Sequence, residues 1–201
     1  SDWKFHGETY DTVNDPFNRD RKWTGYAPDA CIGPDGRYYF YYAINNDSVI
    51  SVAVCDDPAG KFEFYGHIKL PDGRIYGTKE GDVFCFDPGV LVDDDGTVHL
   101  YIGFSPTWEL SDDINDNLAK ARIDGAYHFE LESDMVTIKG EPTMVCPGML
   151  YTKGTSFEGH GVFEAPSIRK FNGKYYFIYS SENYHELCYA IGDRPEGPFT
   201  Y

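Results

Sequence analysis

One passage of this chain occurs three times: an acidic-Pro start, an apolar strand, a Gly turn and an aromatic strand. The copies run Tyr26-Ala27-Pro28-Asp29 to Gly36-Arg37-Tyr38-Tyr39-Phe40-Tyr41-Tyr42, Phe86-Asp87-Pro88-Gly89 to Gly96-Thr97-Val98-His99-Leu100-Tyr101, and Glu164-Ala165-Pro166-Ser167 to Gly173-Lys174-Tyr175-Tyr176-Phe177-Ile178-Tyr179. The Pro-to-Gly spacing is 8, 8 and 7 residues. A repeat of this kind marks an architecture assembled from like supersecondary units, each needing its neighbours to bury its apolar face. Asp87 and Glu164, far apart in sequence, thereby fall at nearly equivalent places in their units.

Each unit offers four short strands. Segments 37–45 and 48–56 are strand candidates joined by the polar pair Asn46-Asp47, which suits a hairpin. Pro58-Ala59-Gly60-Lys61-Phe62 then punctuates and opens a fourth strand, as Pro195-Glu196-Gly197-Pro198-Phe199 does in the third copy; in the middle copy Asp124-Gly125-Ala126-Tyr127-His128-Phe129 takes that part. Four antiparallel strands per repeat of this length is the blade of a β-propeller, so the fold class is all-β. The expected division is 1–25 as the end of one blade and a linker, with 1–10 as an outer strand; 26–82 as a blade; 83–162 as a blade with long loops; and 163–201 as a blade. A propeller ring normally needs at least four blades to hide its edges, so three complete blades read as part of a larger one. The polar stretch 109–120 reads as a loop insertion, and the Gly- and Pro-rich connection 146–162 as surface or rim.

With 17 Lys and Arg against 33 Asp and Glu, the formal net charge of −16 repels polyanions. Nucleic acid and anionic membrane surfaces are therefore not the expected partners, whereas a neutral oligosaccharide or small glycoside is indifferent to that field. The five cysteines, Cys31, Cys55, Cys85, Cys146 and Cys188, are scattered and form no Cys-x-x-Cys pair. A zinc cluster is thus unsupported, and the thiols read as small apolar residues of a reducing, cytoplasmic compartment. The sequence shows no signal peptide or bilayer-length apolar run, and its start has the character of mid-domain sequence.

In a propeller the first strand of every blade lines the central channel, and side chains from different blades converge at one end of it. Asp87 and Glu164 both precede or enter such strands. Two carboxylates converging on one cavity supply what glycoside hydrolysis needs, one protonating the leaving oxygen and another activating water or attacking. A proline after each fixes the local backbone and removes an amide from the ladder. Acids at strand starts also cap turns, and that structural role stands beside the catalytic one. Tyr26, Phe86 and Phe163 flank the strand starts and offer either sugar-stacking faces or core packing; Trp108 offers a rim platform or a cover for the blade interface. His160, four residues before Glu164, is placed to reach the channel mouth or to hydrogen-bond locally, and Glu158 shares that ambiguity. Asp93-Asp94-Asp95-Gly96 fails calcium-loop spacing and reads as a hairpin turn, and His185-Glu186 lacks a second His at helical spacing.

These residues also resemble a known family. Phe86-Asp87-Pro88-Gly89-Val90-Leu91-Val92-Asp93-Asp94-Asp95-Gly96 is similar to one signature of glycoside hydrolase family 43, and Glu164-Ala165-Pro166-Ser167-Ile168-Arg169-Lys170 with Asn172–Ser180 to another. Tyr26-Ala27-Pro28-Asp29 resembles a segment that in many members begins with Trp. The resemblance implies a five-bladed propeller acting on β-xylosides, α-L-arabinofuranosides or arabinans by inversion. It implies Glu164 as general acid and Asp87 as the carboxylate that tunes and orients that acid. The family's general base is an Asp of an earlier strand; Asp11 and Asp15 are rejected for the role, because no aromatic strand follows them. No cofactor is implied for this chain, although the resemblance allows a structural cation such as calcium in the complete propeller. Two other readings remain: a non-catalytic propeller binding carbohydrate or protein, and a phosphorylase or fructan-acting enzyme, for which only Arg169 and Lys170 offer cationic groups near the site.

Overall fold

Runs of Tyr, Phe, Val and Ile between Gly-containing turns pair into three four-stranded antiparallel sheets. The structure, a computed structural model, describes residues 2–44, 48–106 and 121–201. The first sheet orders β1 (Gly25–Ile32), β2 (Tyr38–Ile44), β3 (Ile50–Cys55) and β4 (Glu63–His67) consecutively. The second orders β5 (Gly89–Val92), β6 (Val98–Gly103), β7 (Gly125–Leu131) and β8 (Ile138–Pro147). The third orders β9 (Val162–Phe171), β10 (Lys174–Ser181), β11 (Leu187–Gly192) and β12 (Phe199–Thr200). Every sheet is a meander whose strands pair with their sequence neighbours, which is the blade topology the repeat implies. The first strands are neighbours in space: β1 lies against β5, and β5 against β9.

The repeat's one irregular spacing has a local cause. In the third blade the turn between β9 and β10 holds two residues, Asn172 and Gly173, both left-handed at φ 49° and 72°, and Phe171 pairs directly with Lys174. Two consecutive positive φ values are the requirement of the tightest hairpin, which Asn-Gly meets at little steric cost. The first two blades use a longer turn, closed by Gly36 N–H to Gly33 O and Gly96 N–H to Asp93 O, both at 2.9 Å. Asp93-Asp94-Asp95-Gly96 is therefore a hairpin turn, as expected.

Two apolar seams hold the blades together. Tyr41, Val52 and Ile68 of the first meet Leu100, Phe129 and Met135 of the second. Tyr101, Ala126 and Cys146 of the second meet Ile168, Phe177 and Tyr179 of the third. Each fully buried large side chain of this kind contributes roughly 1.5–3 kcal/mol relative to exposure. Polar links cross the same seams. Asp93 accepts hydrogen bonds from Lys170 Nζ and Tyr175 Oη, and Tyr41 Oη donates to Met135 O at 2.7 Å. All five cysteines are free thiols.

Two expectations change. Residues 2–10, read as an outer strand, form none; the segment has no partner ladder beyond a bond from Phe62 N–H to Thr9 O. Residues 2–8 are exposed, and from the rest of the segment Tyr10 and Trp23 pack on the outer face of the first sheet, against Tyr42, Ile44 and Ala53. Residues 124–129, read as the fourth strand of the middle blade, belong to its third strand, β7. The Asp-Gly…Phe punctuation imitates the opening of the fourth strand, but here it follows a long connection and leads back beside β6. The fourth place falls to β8, a Gly- and Pro-containing strand with a mostly exposed middle. The Asn46-Asp47 turn and the 109–120 insertion lie outside the described residues.

Candidate active site

A left-handed residue stands directly before the proline of each repeat, within β1 and β9 and just ahead of β5: Ala27 at φ 46°, Asp87 at 51° and Ala165 at 58°. At two of these places the ladder slips, between Tyr26 and Asp29 in β1 and around Ser180 opposite Glu164 in β9. Such bulges re-aim a side chain that a regular strand would send elsewhere. Aligned on the proline, Tyr26, Phe86 and Glu164 share one position, and Ala27, Asp87 and Ala165 the next. The two carboxylates are thus one residue out of step, and in a regular strand they would face opposite ways.

The structure nonetheless brings them to the same place. Asp87 is buried and its Oδ2 accepts a hydrogen bond from the N–H of Ala165 at 2.9 Å, across the seam between the second and third blades. Burial pushes the Asp87 carboxyl up to about 6; the Ala165 bond opposes this, and the negative charge of Glu164 adds to it. Glu164 itself keeps a side chain 35% exposed. The pair therefore divides into one buried carboxyl anchored to backbone and one open to a ligand. Asp29 repeats the anchoring device one blade earlier, its Oδ2 accepting from Val90 N–H at 2.9 Å, and its Oδ1 lies 3.9 Å from Arg169 Nη2. Lys170, the neighbour of Arg169, turns instead to Asp93 and Asp94, so the two cations do not cluster.

An aromatic arc adjoins the carboxyl pair. Tyr26 and Phe86 lie 5.8 Å apart between ring centroids, Phe86 and Phe104 5.5 Å, and Phe104 and Phe163 5.8 Å. His185 continues it, edge-on to Phe163 at 4.7 Å. Tyr26, 41% exposed, and the partly exposed Phe86 offer faces to a ligand, while Phe163 is buried and serves the packing beneath them. Phe104 and His185 were not anticipated in these places. Phe104 lies just past the strand of its repeat, and it reaches the site because it bridges directly to Glu164 in the next blade.

His160 is not brought to the carboxyl pair. Its Nδ1 lies 3.0 Å from Glu186 Oε2, its ring stacks on Tyr201 at 4.4 Å, and its carbonyl accepts from Tyr179 Oη. Glu158 accepts from Gly154 N–H at 3.0 Å within its own loop. Trp108 lies outside the described residues. Asp15 is wholly buried on the far face of the first sheet. There it accepts from Tyr42 Oη at 2.8 Å and Phe17 N–H at 2.8 Å, and it pairs with His67 Nε2 at 3.0 Å.

Among the described residues, His, Cys, Asp and Glu side chains gather into one close group that could hold a metal ion. The one close group of three possible ligands is His160, Glu186 and Cys188, whose atoms lie within 4.8 Å of one another. An imidazole and a thiol do not make the oxygen shell calcium takes, and Glu186 is already engaged by His160 and Ser181.

Comparison with known proteins agrees with the blade architecture. The glycosyl hydrolases family 43 profile matches residues 1–198. A xylosidase/arabinosidase of Thermoclostridium stercorarium is 47% identical over the whole chain, which covers 40% of that protein. A xylosidase/arabinosidase of Bacteroides ovatus is 32% identical over 98% of the chain and 60% of its own length. Among solved structures, an α-L-arabinofuranosidase from Clostridium thermocellum superposes with a TM-score of 0.68 at 27% identity, covering all of this chain and 57% of that one. A β-xylosidase/α-arabinofuranosidase from a compost microbial metagenome, in complex with xylotriose, gives 0.67 at 28% identity over 98% and 60%. The chain thus spans about half the length of the proteins it matches. On its sequence, its blades and the arrangement of its inner strands, it belongs to glycosyl hydrolase family 43.

Proposed function

We propose that the full-length protein hydrolyses xylose- or arabinose-containing glycosides with inversion at the anomeric carbon, Glu164 acting as general acid and Asp87 tuning and orienting it. The observation that carries the reading is the unequal setting of two neighbouring carboxyls. A general acid must reach the glycosidic oxygen, and Glu164 is the accessible member of the pair. Asp87, buried and tied to Ala165, is held away from substrate but close enough for the two charges to feel each other.

In the proposed reaction Glu164 gives its proton to the departing oxygen as a water molecule attacks the opposite face of the sugar. Inversion requires base and acid roughly 6.5–9.5 Å apart to admit that water. Asp29, the remaining acid of the three inner strands, is held by Val90 and Arg169, so in this reading the base comes from elsewhere in the full-length protein. Tyr26 and Phe86 supply stacking faces for the sugar ring.

The test is Glu164→Gln in the full-length protein, assayed on nitrophenyl xylosides and arabinofuranosides with the product anomer followed by NMR. The expected result is inverted product from the parent and a loss of roughly 10²–10⁴ in turnover with the fold intact. Near-parental turnover rejects the assignment of Glu164, and binding of oligosaccharide without hydrolysis by the parent favours a non-catalytic propeller.

A further inference from the structure

The turn between β10 and β11 contains two successive non-glycine residues in the left-handed region, Tyr184 and His185, each at φ 57°. No glycine eases either position, and strained backbone of this kind persists where the surroundings hold it. Here they do. Ser181 N–H donates to Glu186 O at 2.9 Å, Ser181 Oγ to Glu186 Oε2 at 3.0 Å, and Asn183 N–H to Ser181 Oγ at 3.2 Å. From outside the turn, His160 pairs with the same Glu186 carboxylate. The product of this bracing is the placement of one imidazole. His185 Nδ1 lies 3.6 Å from Glu164 Oε1 and 3.3 Å from Ser180 Oγ, and its ring stands edge-on to Phe163. Ser180 and Glu164 are direct cross-strand partners, so the imidazole sits over both. Among the described residues it is the one basic side chain within ion-pair reach of Glu164.

We propose that His185 is a positioning residue for Glu164: its Nδ1, at hydrogen-bond distance from Ser180 Oγ and within ion-pair range of Glu164 Oε1, holds the carboxyl in the orientation from which it delivers a proton to the leaving group. This rests on the reading of Glu164 as the general acid. A glutamate side chain left free on a strand samples several rotamers, and ordering it costs conformational entropy at the moment of reaction unless a neighbour has already done so. His185 does this from within the third blade, while Asp87 reaches the backbone of the next residue, Ala165, from the second. It also accounts for the bracing of the turn and gives His160 a use, as the residue that fixes Glu186 and with it the turn.

The experiment exploits leaving groups. A 2,4-dinitrophenolate departs without protonation, whereas phenolate or a sugar alcohol needs the acid. In the full-length protein, His185→Gly removes the imidazole while suiting the left-handed backbone, so the turn survives. Its expected kcat/KM falls roughly 10-fold or more on a phenyl pentoside and stays within about 3-fold on the 2,4-dinitrophenyl pentoside. His185→Asn places an N–H donor near the position of Nδ1 in a residue that tolerates positive φ, and restores most of the phenyl pentoside rate. Equal losses on both substrates, no loss on either, or failure of Asn to rescue overturns the proposal. Glu164→Gln is run beside them. If it shows the leaving-group split and His185→Gly does not, the positioning role alone falls; if Glu164→Gln shows no split, both assignments fall.

Discussion

The carboxylate of Asp87 is bonded to the N–H of Ala165, the residue that follows Glu164, so the second blade holds the backbone of the third at the point where the exposed acid emerges. The same bond ties the ionisation of Asp87 to the stability of the seam.

The sign of that coupling follows from burial. Asp87 ionises near 3.8 in an unfolded chain and at about 6 when folded. Between those values the folded state binds more protons, so stability is fully present below about 4 and is lost as pH rises through 6. A shift of this size corresponds to about 2–3 kcal/mol. Asp87→Asn keeps an acceptor for Ala165 and removes the charge. It is expected to raise the denaturant midpoint at pH 7.5 and flatten the dependence between pH 4 and 6, while activity falls. An unchanged pH profile of unfolding would remove Asp87 from this role.

Asp93 has the opposite sign. Burial works against its ionisation, but the hydrogen bonds from Lys170 and Tyr175 outweigh it and hold the carboxyl below its usual range. Its contribution is present above the ordinary carboxylate range and is lost as pH falls below it. Asp93→Asn should cost about 1–3 kcal/mol at neutral pH and nearly nothing in strong acid, measured by urea unfolding at the two pH values.

The three left-handed residues before proline give a backbone prediction. Ala165→Val puts a β-branched side chain at φ 58° and should destabilise by about 1–3 kcal/mol. Ala165→Gly relieves the strain and should leave the melting temperature level or slightly raised. If valine proves harmless, the left-handed kink beside Glu164 is not a fixed feature.

Asp15 separates structure from catalysis. Its charge is buried with His67 and Tyr42 on the face of the first sheet away from Glu164's blade. Asp15→Ala should cost several kcal/mol, the effect of stripping a buried partner. The folded fraction should keep turnover within a few-fold, whereas loss of the water-activating base would abolish it. Measuring kcat against active protein concentration distinguishes the two.

The repeat was legible because strand chemistry and turn chemistry agreed in each copy: Tyr38–Tyr42, Val98–Tyr101 and Tyr175–Tyr179 alternate toward the seams, and a glycine or Asn-Gly turns the chain before each. The middle blade's later strands were less legible, because the Asp124-Gly125 cue resembles the opening of a different strand and β8 carries Gly140 and Pro142. Of the site, Asp87 and Glu164 were visible from the prolines that follow them. What made them neighbours was not, because it depends on a bulge and a side-chain-to-backbone bond between blades. His185 carried no signal at all: Asn183-Tyr184-His185-Glu186 has no glycine to announce two left-handed residues, and its partner lies 21 residues earlier in the chain.

The bond from Asp29 to Val90 and its counterpart from Asp87 to Ala165 work as rivets, each fastening one inner strand to the next with no involvement of the outer loops. Evolution is thereby free to lengthen, shorten or replace the rim connections, and so to reshape the mouth around the site, without loosening the two acids from each other.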